Sequence, residues 1–146
     1  MRFRSWSKLR GAPESVGAFI EEAIRLDGPA IGNLRRTTRA TEVAGVPLPK
    51  GTTVALLWGS ANRDEAEFPE ADRFVMDRPN IKTHLGFGLG KHFCLGAALA
   101  RMETRVALQA LLAKKERVTL AVDAGTLRHK PSILGVRRLQ IGRAHV

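Results

Sequence analysis

At 146 residues and a net charge of +10, the chain is long enough for one domain with a modest core and too short for two. It has no apolar run that would span a bilayer, and no apolar stretch behind Met1-Arg2-Phe3-Arg4 of the kind a secretory signal needs. A single cysteine excludes an internal disulfide and fits a reducing, cytoplasmic setting; the 24 lysines and arginines are scattered, so a solvated basic surface is expected rather than a nucleic-acid or anionic-membrane partner.

Residues 1–11 have the look of the end of a helix, with Trp6 and Leu9 three apart and Gly11 closing it. Pro13 and Glu14 suit the first turn of the next helix, and Val16, Phe19, Ile20 and Ala23 give it one apolar stripe over about 13–26. Asp27-Gly28-Pro29 stops it. Glu22 and Arg25 are neighbours on that helix; as a surface pair they would be worth about 0–1 kcal/mol. Residues 34–45 are expected to form a strand pair or ribbon, 46–51 a turn, and 52–58 an apolar strand. Residues 68–80 are turn-rich and hardly periodic, as tightly packed or functional loops are.

The next stretch, Phe87-Gly88-Leu89-Gly90-Lys91-His92-Phe93-Cys94-Leu95-Gly96, holds the only cysteine. A helix follows it directly, marked by Leu99, Met102, Val106, Leu108, Leu111 and Leu112 and reaching about residue 114. Helix starts carry unpaired N–H groups and the positive end of the macrodipole, so a cysteine there is held toward the thiolate. Gly88, Gly90 and Gly96 let backbone turn tightly and approach a flat ligand. Thiolate ligation of haem iron favours O–O cleavage. Phe87, Gly88, Gly90, His92, Cys94, Leu95 and Gly96 resemble, position by position, the haem-binding signature of the cytochromes P-450, the haem-thiolate monooxygenases. A lone cysteine is otherwise more often buried and inert; the fixed positions around this one favour the haem reading.

The resemblance runs from about Trp6 to about Leu139 and implies a mainly α fold with small β-sheets (α+β), the C-terminal portion of the family's fold. It implies Cys94 as the ligand to haem b. Phe87, Gly88, Gly90, Leu95 and Gly96 would cradle the cofactor. Arg35 would meet one propionate, with Arg36 and Arg39 as alternatives because register in short strands is easily misjudged, and His92 the other. Ala40 stands where relatives commonly carry an acid. The resemblance also joins Glu22 and Arg25 to Arg73 in a buried ion network behind the haem, where breaking one pair leaves a charge uncompensated. N–H groups of Leu95 and Gly96 would tune the sulfur. Lys91, Arg101 and Arg105 are candidates for a basic patch that docks an acidic, ferredoxin-like electron donor, although solvated helix charges explain them equally well. Ala30 and Ile31, in the loop after the first long helix, and Ile133 and Leu134, in a strand-rich tail over 118–122 and 133–139, would face a small hydrophobic substrate. His84 is expected to be a loop or packing residue.

The resulting expectation is a haem-binding segment over 1–140 that lacks the family's oxygen-activating helix and substrate roof, with low stability and little turnover by itself, followed by a non-native tail at 141–146. Two other readings remain at this point: a peroxide-using peroxygenase with the same ligand, and a non-enzymatic basic interaction module with Cys94 structural.

Overall fold

The computed structural model of the chain describes residues 4–114. The expected strands at 118–122 and 133–139, the substrate-side residues Ile133 and Leu134, and the tail at 141–146 lie outside the described residues.

Helix α1 (Arg4–Gly11) leads through a 3-10 turn at Pro13–Ser15 into α2 (Val16–Asp27). Pro13 pre-sets the first turn, and Ser15 Oγ donates to the Ala12 carbonyl at 2.6 Å. The stripe expected on α2 is the one that packs: Val16, Phe19 and Ile20 are buried with Leu9 of α1, Met76 and Leu112, and Trp6, Ile24, Phe74 and Leu108 close around them. Apolar area removed from water at this junction is what fixes α1, α2 and the last helix together.

After α2 come two antiparallel two-stranded sheets. Strand β1 (Asn33–Arg36) pairs with β4 (Thr53–Leu56), Arg35 opposite Val54. Strand β2 (Thr41–Val43) pairs with β3 (Val46–Leu48) across Ala44 (φ 49°) and Gly45 (φ 80°). Two successive positive φ values match the twist of a tight hairpin. This corrects the sequence expectation twice. The 34–39 segment pairs with the later strand rather than with 41–43, and Val46–Leu48 is strand rather than turn. Pro47 sits opposite Glu42 in a ribbon where each strand is an edge and a missing donor is tolerated.

A one-turn helix, α3 (Trp58–Ala61), precedes the irregular 62–96 segment, broken by short 3-10 turns at Ile81–Thr83 and Gly90–His92. Helix α4 (Ala97–Lys114) closes the described chain. Only Ala97 and Leu112 of α4 are buried, while Leu99, Met102 and Val106 are more than half exposed. Leu108 and Leu112 turn toward α1 and α2. Leu99, Met102 and Val106 form a stripe, at helical spacing, along a side of α4 that the described residues leave uncovered, with Leu95 exposed just before it.

Candidate functional site

Two adjacent acids on α2, Glu21 and Glu22, anchor two different parts of the irregular segment. Glu22 is fully buried and accepts four hydrogen bonds: two from Arg25 at 2.8 Å, one from the Val75 N–H and one from Arg78 Nε, both at 2.9 Å. Burial raises its pKa, but the bonds from Arg25, Val75 and Arg78 outweigh that and hold it below the usual carboxylate value. Arg25, buried as well, also donates to the carbonyls of Asn62, Ala71 and Arg73 and lies over the Phe68 ring, 5.2 Å from its centroid. Arg78 extends the network to the carbonyls of Pro69, Glu70 and Arg73.

The resemblance noted above implied Arg73 for this network. Its side chain is instead 72% exposed and pairs with Glu70 at the surface; only its carbonyl reaches Arg25 and Arg78. Arg78 holds the second cationic place. The irregular backbone between them turns one arginine in and the other out, and neither spacing nor composition distinguishes the two.

Asn62, buried, links this network forward: its carbonyl takes Arg25 and its side-chain oxygen accepts the Leu85 N–H at 2.6 Å. Leu85 opens the cysteine loop. Glu21 holds the loop from another direction. Arg101, one turn into α4, grips its carboxylate with both Nε (2.6 Å) and Nη2 (2.9 Å), and His84 Nε2 lies 2.9 Å from Oε2. Because His84 Nδ1 accepts the Gly86 N–H at 3.0 Å, Nε2 carries the hydrogen that is donated to Glu21. Burial raises the Glu21 pKa, but Arg101 and His84 more than offset this and bring it to about 2. Arg101 rises correspondingly, chiefly through the Glu21 hydrogen bond. Its guanidinium also stacks on Phe87, 4.4 Å from the ring centroid. Arg101 is therefore committed to Glu21 and Phe87 rather than forming an open patch with Lys91 and Arg105. Of those two, Lys91 is exposed in the 3-10 turn and Arg105 lies against Gly17 of α2.

The loop itself doubles back so that the Cys94 N–H donates to the Phe87 carbonyl at 2.9 Å, and the Phe93 N–H to Gly90 at 3.0 Å. Gly88 (φ 73°) and Gly90 (φ 68°) stand in the left-handed region that side chains avoid. Gly96 does not; a Cβ there would lie at ordinary contact distance, 3.9 Å, from Cys94 Sγ. The Cys94 carbonyl accepts the first N–H of α4, from Ala97, at 3.2 Å. Cys94 is exposed, and Leu89, Phe93 and Leu95 stand exposed in the same loop, so a thiol is presented among apolar side chains. One soft sulfur among bare hydrocarbon suits a flat, apolar, metal-bearing macrocycle. On β1, Arg36 is tied to the Gly51 carbonyl at 2.9 Å, while Arg35, on the opposite side of the strand, bonds only the Leu34 carbonyl among the described residues. His92 and Arg39 are exposed, as are Ala30 and, in part, Ile31.

A sequence profile described as Cytochrome P450 matches residues 14–121. Cytochrome P450 144 of Mycobacterium tuberculosis is 45% identical over 133 residues, which are 91% of this chain and 30% of that relative. The erythromycin C-12 hydroxylase of Saccharopolyspora erythraea is 42% identical, over 93% of this chain and 35% of its own length. Among solved structures, a mutant of P450 EryK in complex with erythromycin B superposes with a TM-score of 0.87 at 42% identity, and P450BioI in complex with an acyl carrier protein bearing hexadec-9Z-enoic acid with 0.86 at 34%. Each covers 93% of this chain and 35% of the solved one. The fold and the cysteine loop thus define part of a haem-thiolate domain. The chain belongs to the cytochrome P450 family, the haem-iron monooxygenases, and spans about a third of the length of the curated relatives it matches. Among the described residues, no helix is long and apolar enough to cross a membrane.

Arg78, Glu21 and Asn62 matter in this arrangement and were missed in the sequence, and His84, expected only as a loop or packing residue, bonds Glu21 and Gly86. Arg78 gave no signal that Arg73 did not also give. Glu21 could have been singled out as the first of two consecutive acids on the buried-stripe helix.

Proposed function

We propose that this chain carries the haem-binding part of a cytoplasmic monooxygenase that transfers one oxygen atom of O2 to a small hydrophobic organic substrate, with electrons from an acidic, ferredoxin-like donor. The observation that carries the reading is the exposed Cys94, its N–H fixed to Phe87 and its carbonyl to the first turn of α4. Haem b supplies the oxygen chemistry when bound, and the protein supplies ligand, orientation and electrostatics.

In this reading Cys94 Sγ would hold the haem iron from the junction between the loop and α4. The N–H groups of Leu95 and Gly96 temper its charge, and Phe87, Gly88 and Gly90 shape the surface on which the macrocycle rests. Arg35 and His92 take the two carboxylates; the engagement of Arg36 with Gly51 supports Arg35 over its neighbour. The Glu22–Arg25–Arg78 network braces the loop from behind. Ala30 and Ile31 border the substrate side. Lys91 and Arg105 remain for docking the electron donor. Relatives named as a hydroxylase and an epoxidase support oxygen insertion as the reaction class.

The apolar stripe on α4 is where the remainder of a full-length family domain packs. Carbon monoxide added to the reduced, haem-loaded protein tests the assignment. The long-wavelength Soret band of a thiolate-ligated haem is expected, and Cys94→Ser abolishes it. A band of the non-thiolate type in the unsubstituted protein would refute the reading.

A further inference from the structure

We infer that Glu21, His84 and Arg101 form a positioning clamp that sets where the Cys94 thiolate sits and how firmly it donates to iron. The inference rests on the haem-thiolate reading and adds to it a role for three side chains, one of which is otherwise a docking charge. The clamp joins three separate parts of the chain at one carboxylate: α2 supplies Glu21, α4 supplies Arg101, and the segment before the loop supplies His84.

From there two routes lead to the cysteine. Along one, Gly86 N–H donates to His84 Nδ1, which fixes the backbone just before Phe87. Along the other, the Arg101 guanidinium lies on the Phe87 ring, and the Phe87 carbonyl receives the Cys94 N–H. Phe87 is therefore held by ring and backbone at once, and Cys94 is bonded directly to it. The ring also sits 6.2 Å from His84 and 6.3 Å from Phe93, centroid to centroid, so it cannot swing without disturbing both.

Burial gives the clamp its strength. The His84 side chain is 2% exposed and that of Glu21 18%, so their hydrogen bonds meet little competition from water. The paired Nε and Nη2 bonds of Arg101 fix the guanidinium plane that the Phe87 ring stacks against, which a single lysine ammonium cannot do. A glutamate that only stabilised the helix would need neither the stack nor the Gly86 contact.

The test uses the haem-loaded protein with Arg101→Gln, Arg101→Lys and Glu21→Gln, and Lys114→Gln as a control for equal charge loss on the same helix. Resonance Raman of the ferric protein reads the iron–sulfur stretch. The time course of the reduced carbon monoxide complex reads conversion from the thiolate to the non-thiolate band. Arg101→Gln and Arg101→Lys are expected to shift and broaden the stretch and to speed conversion about tenfold, as loss of a charge-assisted hydrogen bond does. Lys114→Gln should change neither. Glu21→Gln combined with Arg101→Gln should add little beyond either alone, since both remove one unit.

An unchanged stretch and unchanged conversion in both Arg101 variants would overturn the clamp while leaving the haem reading intact. Should Arg101→Gln fail to fold, Arg101→Lys, which keeps the charge at a part-exposed position, decides by the same readouts. Lack of the thiolate band in the unsubstituted protein would overturn the underlying assignment and the clamp with it.

Discussion

Replacing Arg78 and Arg73 separately by alanine distinguishes the network in the structure from the one the sequence implies. The Arg78 side chain is 4% exposed and its Nε bonds the fully buried Glu22. Its two remaining nitrogens satisfy the carbonyls of Pro69, Glu70 and Arg73. Truncation leaves part of the buried Glu22 charge unmatched and removes the guanidinium's bonds to three part-buried carbonyls, which costs about 3–5 kcal/mol. Arg73 pairs with Glu70 where both are mostly exposed, and its loss costs less than about 1 kcal/mol. At a urea m-value of about 2 kcal/mol/M, Arg78→Ala lowers the unfolding midpoint by roughly 2 M and Arg73→Ala by roughly 0.5 M or less. Arg78→Lys keeps the charge without the planar fork and falls between them. Equal midpoints for the two alanine variants, or a larger loss at Arg73, would refute the network as described.

Glu21 gives a pH signature. A carboxyl moved from its ordinary 4.5 to about 2 contributes on the order of 1–2 kcal/mol of stability once solvent screening is allowed for. That contribution is complete above the unfolded value and is lost as pH falls from about 4.5 through about 2. The difference in urea midpoint between the unsubstituted protein and Glu21→Gln should therefore shrink steadily over that interval; a constant difference would contradict the pairing. Gly86 and Gly11 make a contrasting pair. A methyl at Gly86 runs into the Ile24 side chain and lies 3.1 Å from His84 Nδ1, whereas Gly11 has open space around it. Gly86→Ala should cost about 1–3 kcal/mol by overpacking and Gly11→Ala nothing measurable, as read by thermal unfolding.

What was legible in the sequence follows from how local each signal is. The α2 stripe and the extent of α4 are written in helical periodicity, and their boundaries are close to those expected. The cysteine loop is a dense local pattern around a single residue type, and Gly88 and Gly90 take positive φ in it. Strand partnership was not legible, because β1 and β4 are joined across an intervening hairpin and short polar strands carry no register signal. Nor was the choice of Arg78 over Arg73, which depends on how an aperiodic backbone folds round a buried carboxylate. The helix charges on α4 look alike in sequence; only contact with Glu21 and Phe87 separates Arg101 from Arg105. The exposed stripe of Leu99, Met102 and Val106 is a case of periodicity predicting a helix correctly while saying nothing of what covers its face.

X-ray absorption at the iron edge tests the central claim most directly, because the chain contains one cysteine and three methionines. In the haem-loaded ferric protein the account predicts one sulfur neighbour in the first coordination sphere, retained when the methionines are replaced by leucine and absent in Cys94→Ser. A coordination sphere of nitrogen and oxygen alone in the unsubstituted protein, or a sulfur neighbour that survives Cys94→Ser, would contradict it.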